Sequence, residues 1–328
     1  MSHRPTVTVT RRLFEAHIEQ LTRDYEVIDN QKDLGLSPEA LRERLAQADA
    51  ALIAGGERVD APLLAGCPRL KIVANVAVGY NNFDLDACTA AGVLATNTPD
   101  VLNEAVADHA WALLLAAARR VGESERWLRA GQWKRWTFDG FLGAQLTGST
   151  LGILGMGRIG RSIARRATGF AMRVIYHNRS PLSAELAAGA EYVDKATLLA
   201  QSDSLIVVVP YSPEVHHTIG AAELAQMKKT AVLVNIARGG VVDDAALIKA
   251  LREGRIAAAG LDVFEGEPKL HEGFLRLENA VLTPHIASAT ADTRDAMAQL
   301  AIRNVVEALA GRRPPTLLNP QAWDNRRR

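Results

Sequence analysis

Short apolar runs of strand length recur along the first hundred positions, at 6–9, 25–28, 50–54, 71–76 and 93–96. Helical stretches separate them, such as 38–48, which Ser37 opens as an N-cap. Strands alternating with helices are the pattern of a parallel sheet joined by crossover helices. A longer helix is predicted over 103–120, and the polar stretch 122–148, rich in Trp, Gly and Arg, is predicted to be a connection. From Thr150 a second alternating series begins, with strands predicted at 150–154, 173–176, 204–209, 231–235, 257–261 and 280–282. Six strands with helices between them suit a doubly wound nucleotide-binding sheet. The last predicted helix, 291–310, needs a surface for its apolar face, and either sheet can supply one. No internal repeat or low-complexity segment interrupts this pattern.

Composition narrows the class. With 328 residues, 48% of them hydrophobic and 23% charged, the chain exceeds what one core supports, so two domains are expected. A net charge of +1 and no long charged block point away from nucleic acid and membrane as partners; the closing Arg326, Arg327 and Arg328 are too short a run to change that. Cys67 and Cys88 form no ligand-like or redox-like pair, so neither a disulfide framework nor a metal site is expected, and a reducing compartment, the cytoplasm, is. The first ten residues lack the apolar core of a secretion signal. The longest apolar run, 110–118 between His109 and Arg119, is too short to span a bilayer.

The sharpest local signal is Gly155-Met156-Gly157-Arg158-Ile159-Gly160, between the strand at 150–154 and a helical run at 161–168. Strand, glycines and helix in that order meet the needs of a dinucleotide: a tight turn, backbone approach to a pyrophosphate, and a helix N-terminus facing it. About twenty residues on, where the adenosine ribose is read, stand His177, Asn178, Arg179 and Ser180, with no carboxylate. Arg179 offers a planar fork to a 2′-phosphate, and Asn178 and Ser180 add neutral hydrogen bonds, which favours NADPH while leaving NADH possible.

Three further segments place polar residues just past apolar strands: Asn235-Ile236-Ala237-Arg238-Gly239-Gly240, Leu261-Asp262-Val263-Phe264-Glu265-Gly266-Glu267-Pro268 and Leu282-Thr283-Pro284-His285. Singly, Arg238 also reads as a surface ion-pair partner, Glu267 as a loop carboxylate and His285 as a hydrogen-bonded loop histidine; function needs the constellation. Together with the glycine motif, with the loop from Val76 to Asp84, with Asn97-Thr98-Pro99-Asp100 and with the run from Glu104 to Asp108, they resemble the D-isomer-specific 2-hydroxyacid dehydrogenase family over almost the whole chain. Within it, the His-Asn-Arg-Ser segment and the lack of a C-terminal regulatory domain are most similar to bacterial glyoxylate, hydroxypyruvate and 2-ketogluconate reductases.

The resemblance implies an α/β protein of two domains, a Rossmann-type doubly wound parallel sheet inserted into a smaller flavodoxin-like substrate domain. The dinucleotide domain is then 100–286, and 1–99 with 287–328 binds substrate, the active site lying in the cleft. It further implies Arg238, Glu267 and His285 as catalytic residues, Glu265 being the tempting wrong choice. Substrate falls to Arg238, His285 and the backbone N–H cradle of Val78 and Gly79. The dinucleotide falls to the glycine motif with Arg158 and Ile159, to Asn178, Arg179 and Ser180, to Ala237, and to Asp262 at the nicotinamide end, with Thr98, Val106 and Pro210 lining it. Chemically, a guanidinium can hold a 2-oxo acid's carboxylate while polarising its ketone, and a protonated imidazole can stabilise the growing alkoxide and hand it a proton. Glu267 favours the charged imidazole and orients it.

His109 reads instead as a packed or hydrogen-bonded core histidine, and His216 and His217 as a pair with no acidic partner at ligand spacing. The aromatic residues Trp127, Trp133, Trp136, Phe138 and Phe141 crowd the connection and read equally as core; the resemblance implies that this segment reaches a second copy, so a homodimer is expected. Competing readings are a non-enzymatic dinucleotide sensor on the same fold, against which the complete Arg238, Glu267 and His285 set argues, and a phosphoglycerate-type NAD dehydrogenase, which the ribose segment does not fit.

Overall fold

Five parallel strands hold the first hundred residues together in the computed structural model, which describes residues 4–54 and 56–327. They are β1 (Thr6–Val9), β2 (Glu26–Ile28), β3 (Ala50–Ile53), β4 (Ile72–Asn75) and β5 (Leu94–Thr96), in the order β2-β1-β3-β4-β5. β1, β3, β4 and β5 are buried along their whole length, which is why they carry no exposed polar face and read as apolar runs broken only by Thr or Asn; β2, at the edge, is partly exposed. The crossovers are α1 (Glu15–Thr22), α2 (Pro38–Leu45), α3 (Ala61–Ala65) and α4 (Leu85–Ala90). Ser37, Asp60 and Asp84 start the last three by accepting a first-turn N–H, from Ala40, Leu63 and Ala87, that the helix itself leaves open.

The C-terminal helix, Ala291–Leu309, settles on this sheet, packing against β3, β4 and β5 with Met297, Ala298, Ala301, Ile302 and Val305 buried. Beyond it Asn319 accepts from the Ala95 N–H and donates to the Val93 carbonyl, both at 2.9 Å, and so stitches the chain's end to β5. Residues up to Leu102, with those from Thr290 onward, form one compact unit; Asn103–Ala289 form the other.

The second unit opens with α5 (Asn103–Ala118) and α6 (Val121–Arg129). α6 corrects the reading of 122–148 as connection throughout. None of its residues is buried, so it left no core-facing stripe to read. Arg120, left-handed at φ 55°, breaks the path between the two helices and pairs with Glu123 at 2.7 Å.

Seven parallel strands follow: β6 (Thr150–Leu154), β7 (Arg173–His177), β8 (Glu191–Tyr192), β9 (Ser204–Val207), β10 (Val232–Asn235), β11 (Ala258–Leu261) and β12 (Ala280–Leu282), in the order β12-β11-β10-β9-β6-β7-β8. β8 is one more than predicted. Its two residues are exposed and carry no apolar pattern, and only pairing with Ile175 and Tyr176 makes them a strand. Helices α7 (Arg158–Ala167), α8 (Ala184–Ala187), α9 (Lys195–Gln201), α10 (Ala221–Leu224) and α11 (Asp244–Arg252) cross between strands, and α5 packs on β10, β11, β12 and α7. The strand order reverses between β6 and β9, the point beyond which open α/β sheets bind ligands. Among the described residues, no helix is long and apolar enough to cross a membrane.

Candidate active site

The glycine loop follows β6, and α7 starts inside it, at Arg158 rather than at the predicted 161. Gly155 has φ +102°, and a Cβ there would lie 2.7 Å from Val209 Cγ1 and 2.9 Å from the Val208 backbone. A Cβ on Gly160 would stand 2.5 Å from the Gly155 carbonyl oxygen, so the helix can pack this closely only without one. Gly157, the N-cap, has nothing within 4 Å of the same position. A tight loop, an open N-cap and a helix whose positive end faces outward fit a dinucleotide's pyrophosphate.

The segment 177–180, expected to read the ribose, is tied to this loop. Asn178 Oδ1 accepts from the Met156 N–H at 2.6 Å, and the His177 carbonyl accepts from the Gly155 N–H at 3.0 Å. One of the two lone pairs on the Asn178 side-chain oxygen is therefore engaged within the protein. Arg179 and Ser180 are exposed, as are Arg158 and Pro210; Val106 and Ala237 are buried, and Ile159 is half-buried.

Beyond β10, β11 and β12 the structure gathers Arg238, Glu267 and His285. Glu267 Oε2 lies 2.7 Å from His285 Nδ1, and Oε1 accepts from the Phe264 N–H at 2.8 Å. A carboxylate only accepts, so Nδ1 carries the hydrogen and Nε2 is the imidazole's other edge. Burial alone would raise the Glu267 pKa; the His285 hydrogen bond, the Phe264 N–H and the charges of His285 and Arg238 outweigh it and hold the group below its ordinary value. Burial lowers the Arg238 pKa, opposed by the Glu267 charge, and Arg238 Nη1 donates to the Ala237 carbonyl at 2.8 Å. The two loops touch backbone to backbone: a Cβ on Gly239 would lie 1.8 Å from the Phe264 carbonyl oxygen.

Glu265 goes elsewhere. Its Oε1 is 2.7 Å from His217 Nε2, and His217 Nδ1 is 3.8 Å from Asp243 Oδ2. This corrects the reading of His217 as lacking acidic partners, since those partners come from distant segments that sequence spacing does not reveal. Ligand-capable atoms of His217, Asp243 and Glu265 lie within 4.8 Å of one another. Next to them, burial and then the Glu265 charge push Asp244 up to about 6.

Asp262 is only 1% exposed, and its oxygens are committed internally. Oδ1 accepts from the Thr283 hydroxyl at 2.6 Å and the Ile286 N–H at 2.8 Å; Oδ2 accepts from the Ala287 N–H at 2.8 Å. His109 Nε2 lies 3.0 Å from Thr283 Oγ1 and 3.3 Å from Asp262 Oδ1. Sequence reading did not single out Thr283, although it stands two residues before His285. In the first unit, Asn97 and Asn75 donate to the carbonyls of Val78 and Gly79, each at 2.7 Å, and Thr98 is fully buried with no hydrogen-bond partner for Oγ1.

A doubly wound parallel sheet with a glycine-lined helix N-terminus, and an Arg, a Glu and a His brought together beyond neighbouring strands, define a class, the NAD(P)-dependent oxidoreductases. Comparison with known proteins narrows it. Residues 111–287 match the family described as D-isomer specific 2-hydroxyacid dehydrogenase, NAD binding domain. The glyoxylate reductases of Thermococcus onnurineus and Pyrococcus furiosus are each 48% identical, over 99% and 97% of this chain and 98% and 96% of their own. Among solved structures, the NADPH-dependent glyoxylate/hydroxypyruvate reductase of Sinorhizobium meliloti in complex with NADP and malonate aligns with a TM-score of 0.88 at 35% identity, covering 99% of each chain. The chain belongs to the D-isomer-specific 2-hydroxyacid dehydrogenase family, and its reaction is of the 2-oxo acid reduction type.

Proposed function

We propose that this enzyme reduces glyoxylate, hydroxypyruvate or 2-ketogluconate to the D-2-hydroxy acid, with NADPH preferred and NADH used less well. The observation that carries the reading is the His285–Glu267 pair beyond the same sheet edge as Arg238, in a chain matched end to end by proteins named glyoxylate reductase. The dinucleotide, when bound, supplies the hydride. Arg238 binds the substrate carboxylate and polarises its ketone; we also assign substrate binding to Val78 and Gly79, whose carbonyls are tied back by asparagines. His285 presents Nε2 and gives its proton to the oxygen as negative charge grows there. Glu267 keeps the ring oriented and offsets its positive charge.

We assign substrate binding to 1–99 with 287–328 and dinucleotide binding to 100–286. Asp262 shapes the nicotinamide end through the backbone it holds. Val106, Pro210 and Ala237 line the dinucleotide site, beside Arg158 and Ile159 at the start of α7. We assign the cytoplasm as the compartment, supported by two unpaired cysteines, Cys67 and Cys88. A homodimer is supported by the exposure of Trp133 at 59%, Trp136 at 74% and Phe138 at 87%.

NADPH preference rests on the segment after β7, where no carboxylate would repel a 2′-phosphate. Arg179 stands there exposed; its charge, after the Ser212 hydrogen bond, helps to hold Glu214 below its ordinary pKa. The test is kcat/KM for NADPH and NADH in wild type and Arg179→Ala. Loss of a charge-assisted bond, about 1.5–3 kcal/mol, should weaken NADPH use roughly 10- to 100-fold and leave NADH nearly unchanged. A wild type that prefers NADH, or equal losses for both, would defeat the assignment.

A further inference from the structure

We infer that His109 is a positioning residue for His285, acting through Thr283 on Asp262, the carboxylate that holds the backbone around His285; this rests on His285 being the proton donor proposed above.

The direction of the chain follows from proton counting. Asp262 is a buried carboxylate, which is costly unless donors surround it. The Thr283 hydroxyl has one proton, and at 2.6 Å from a group that only accepts, that proton points at Asp262 Oδ1. Toward His109 the Thr283 oxygen is then an acceptor, so His109 Nε2, at 3.0 Å, bears the hydrogen. His109 is the head of a directed chain from Nε2–H to Thr283 to Asp262, and its Nε2 is itself 3.3 Å from Oδ1.

At its other end, Asp262 controls three consecutive peptide N–H groups. Its carbonyl accepts from His285 at 2.9 Å, Oδ1 from Ile286 and Oδ2 from Ala287, both at 2.8 Å. His285 needs such anchoring for two reasons. It is a non-glycine residue at φ +54°, which persists only where its surroundings impose it, and its side chain is 46% exposed, so packing does little to hold it. Glu267 fixes one edge of the ring; the Asp262 anchor fixes where the ring starts. Without His109, the Thr283 oxygen loses the donor that heads the network, and the anchor relaxes.

The test compares His109→Leu, His109→Asn and His109→Gln in the full-length enzyme, measuring kcat and KM for glyoxylate with NADPH, NADPH affinity by fluorescence, and melting temperature. Leu removes the donor, Asn is too short to reach Thr283, and Gln places an N–H close to where Nε2 stood. Expected is a kcat loss of roughly 10- to 100-fold for Leu and Asn, the cost of a misplaced reacting group, with KM and NADPH affinity within about threefold of wild type and Gln recovering most of the kcat. Thr283→Val should lower kcat similarly and add nothing to His109→Leu. If Leu fails to fold, the Asn–Gln contrast decides alone. Wild-type kcat in Leu or Asn, or a Gln variant no better than Asn, would overturn the inference while a damaged His285→Ala keeps the parent reading alive; wild-type turnover in His285→Ala would sink the parent reading itself.

Discussion

A single proton and a single carboxylate govern the residue scale. With Nδ1 taken by Glu267, the proposed mechanism leaves His285 one nitrogen for substrate, so His285→Ala is expected to lower reductive turnover about 10²–10⁴-fold while NADPH binding survives. Steady-state rates beside a fluorescence titration check this, and near-normal turnover would remove His285 from the mechanism. Asp244 gives a second, independent expectation. Its folded pKa, pushed up from 3.8 to about 6, means that the native state keeps a proton the unfolded chain has already lost. Across that window its contribution to stability therefore falls as pH rises. Asp244→Asn keeps an oxygen for the Glu265 N–H, now accepted at 3.0 Å, and abolishes the titration. Urea unfolding at a series of pH values should show the stability of wild type relative to Asp244→Asn falling as pH rises from about 4 to 6; a constant difference would mean that Asp244 titrates normally.

Element-scale behaviour turns on two loops that touch through their backbones. Gly239, after β10, lies against Phe264, after β11, and an added methyl would sit 1.8 Å from the Phe264 oxygen and 2.3 Å from its carbon. Backbone cannot move aside as a side-chain tip can, so Gly239→Ala must separate the loop of Arg238 from the loop of Glu267. Overpacking of this kind costs about 1–3 kcal/mol, and misplaced catalytic groups lose about 10²-fold in rate. Gly239→Ala should therefore lower both the melting temperature and kcat. Gly169→Ala, where nothing lies within 4 Å, is the control expected to change neither. Equal behaviour of the two variants would show that the loops have slack.

For the whole molecule, the exposed aromatic segment after α6 is the feature a single copy leaves unexplained. Trp136 and Phe138 contact each other edge to face at 6.4 Å and are, among the described residues, the most exposed of the large apolar side chains, at 74% and 87%. In the homodimer reading they meet a second copy. Replacing both with Glu should halve the mass in light scattering and leave NADPH affinity intact, because burying unpaired charge in an apolar contact is unfavourable. A wild type that is monomeric at micromolar concentration would end that reading.

What the sequence determined by itself was whatever burial imposes on consecutive residues. β1, β3, β4 and β10 were legible because a strand buried on both faces is built almost wholly of apolar and β-branched residues, and the glycine loop because close approach of backbone admits no Cβ at Gly155 or Gly160. β8 and α6 were not, because Glu191, Tyr192 and every residue of α6 escape burial and leave no pattern. Residue types alone left Glu265 and Glu267 open, and resemblance to a family favoured Glu267. Only the folded loop sends Glu265 to His217 and Glu267 to His285, two opposite fates for side chains two positions apart. The tertiary structure alone likewise joined His109, Asp262 and Thr283, for the network depends on how α5 packs against the ends of β11 and β12, and no local spacing in the chain records that.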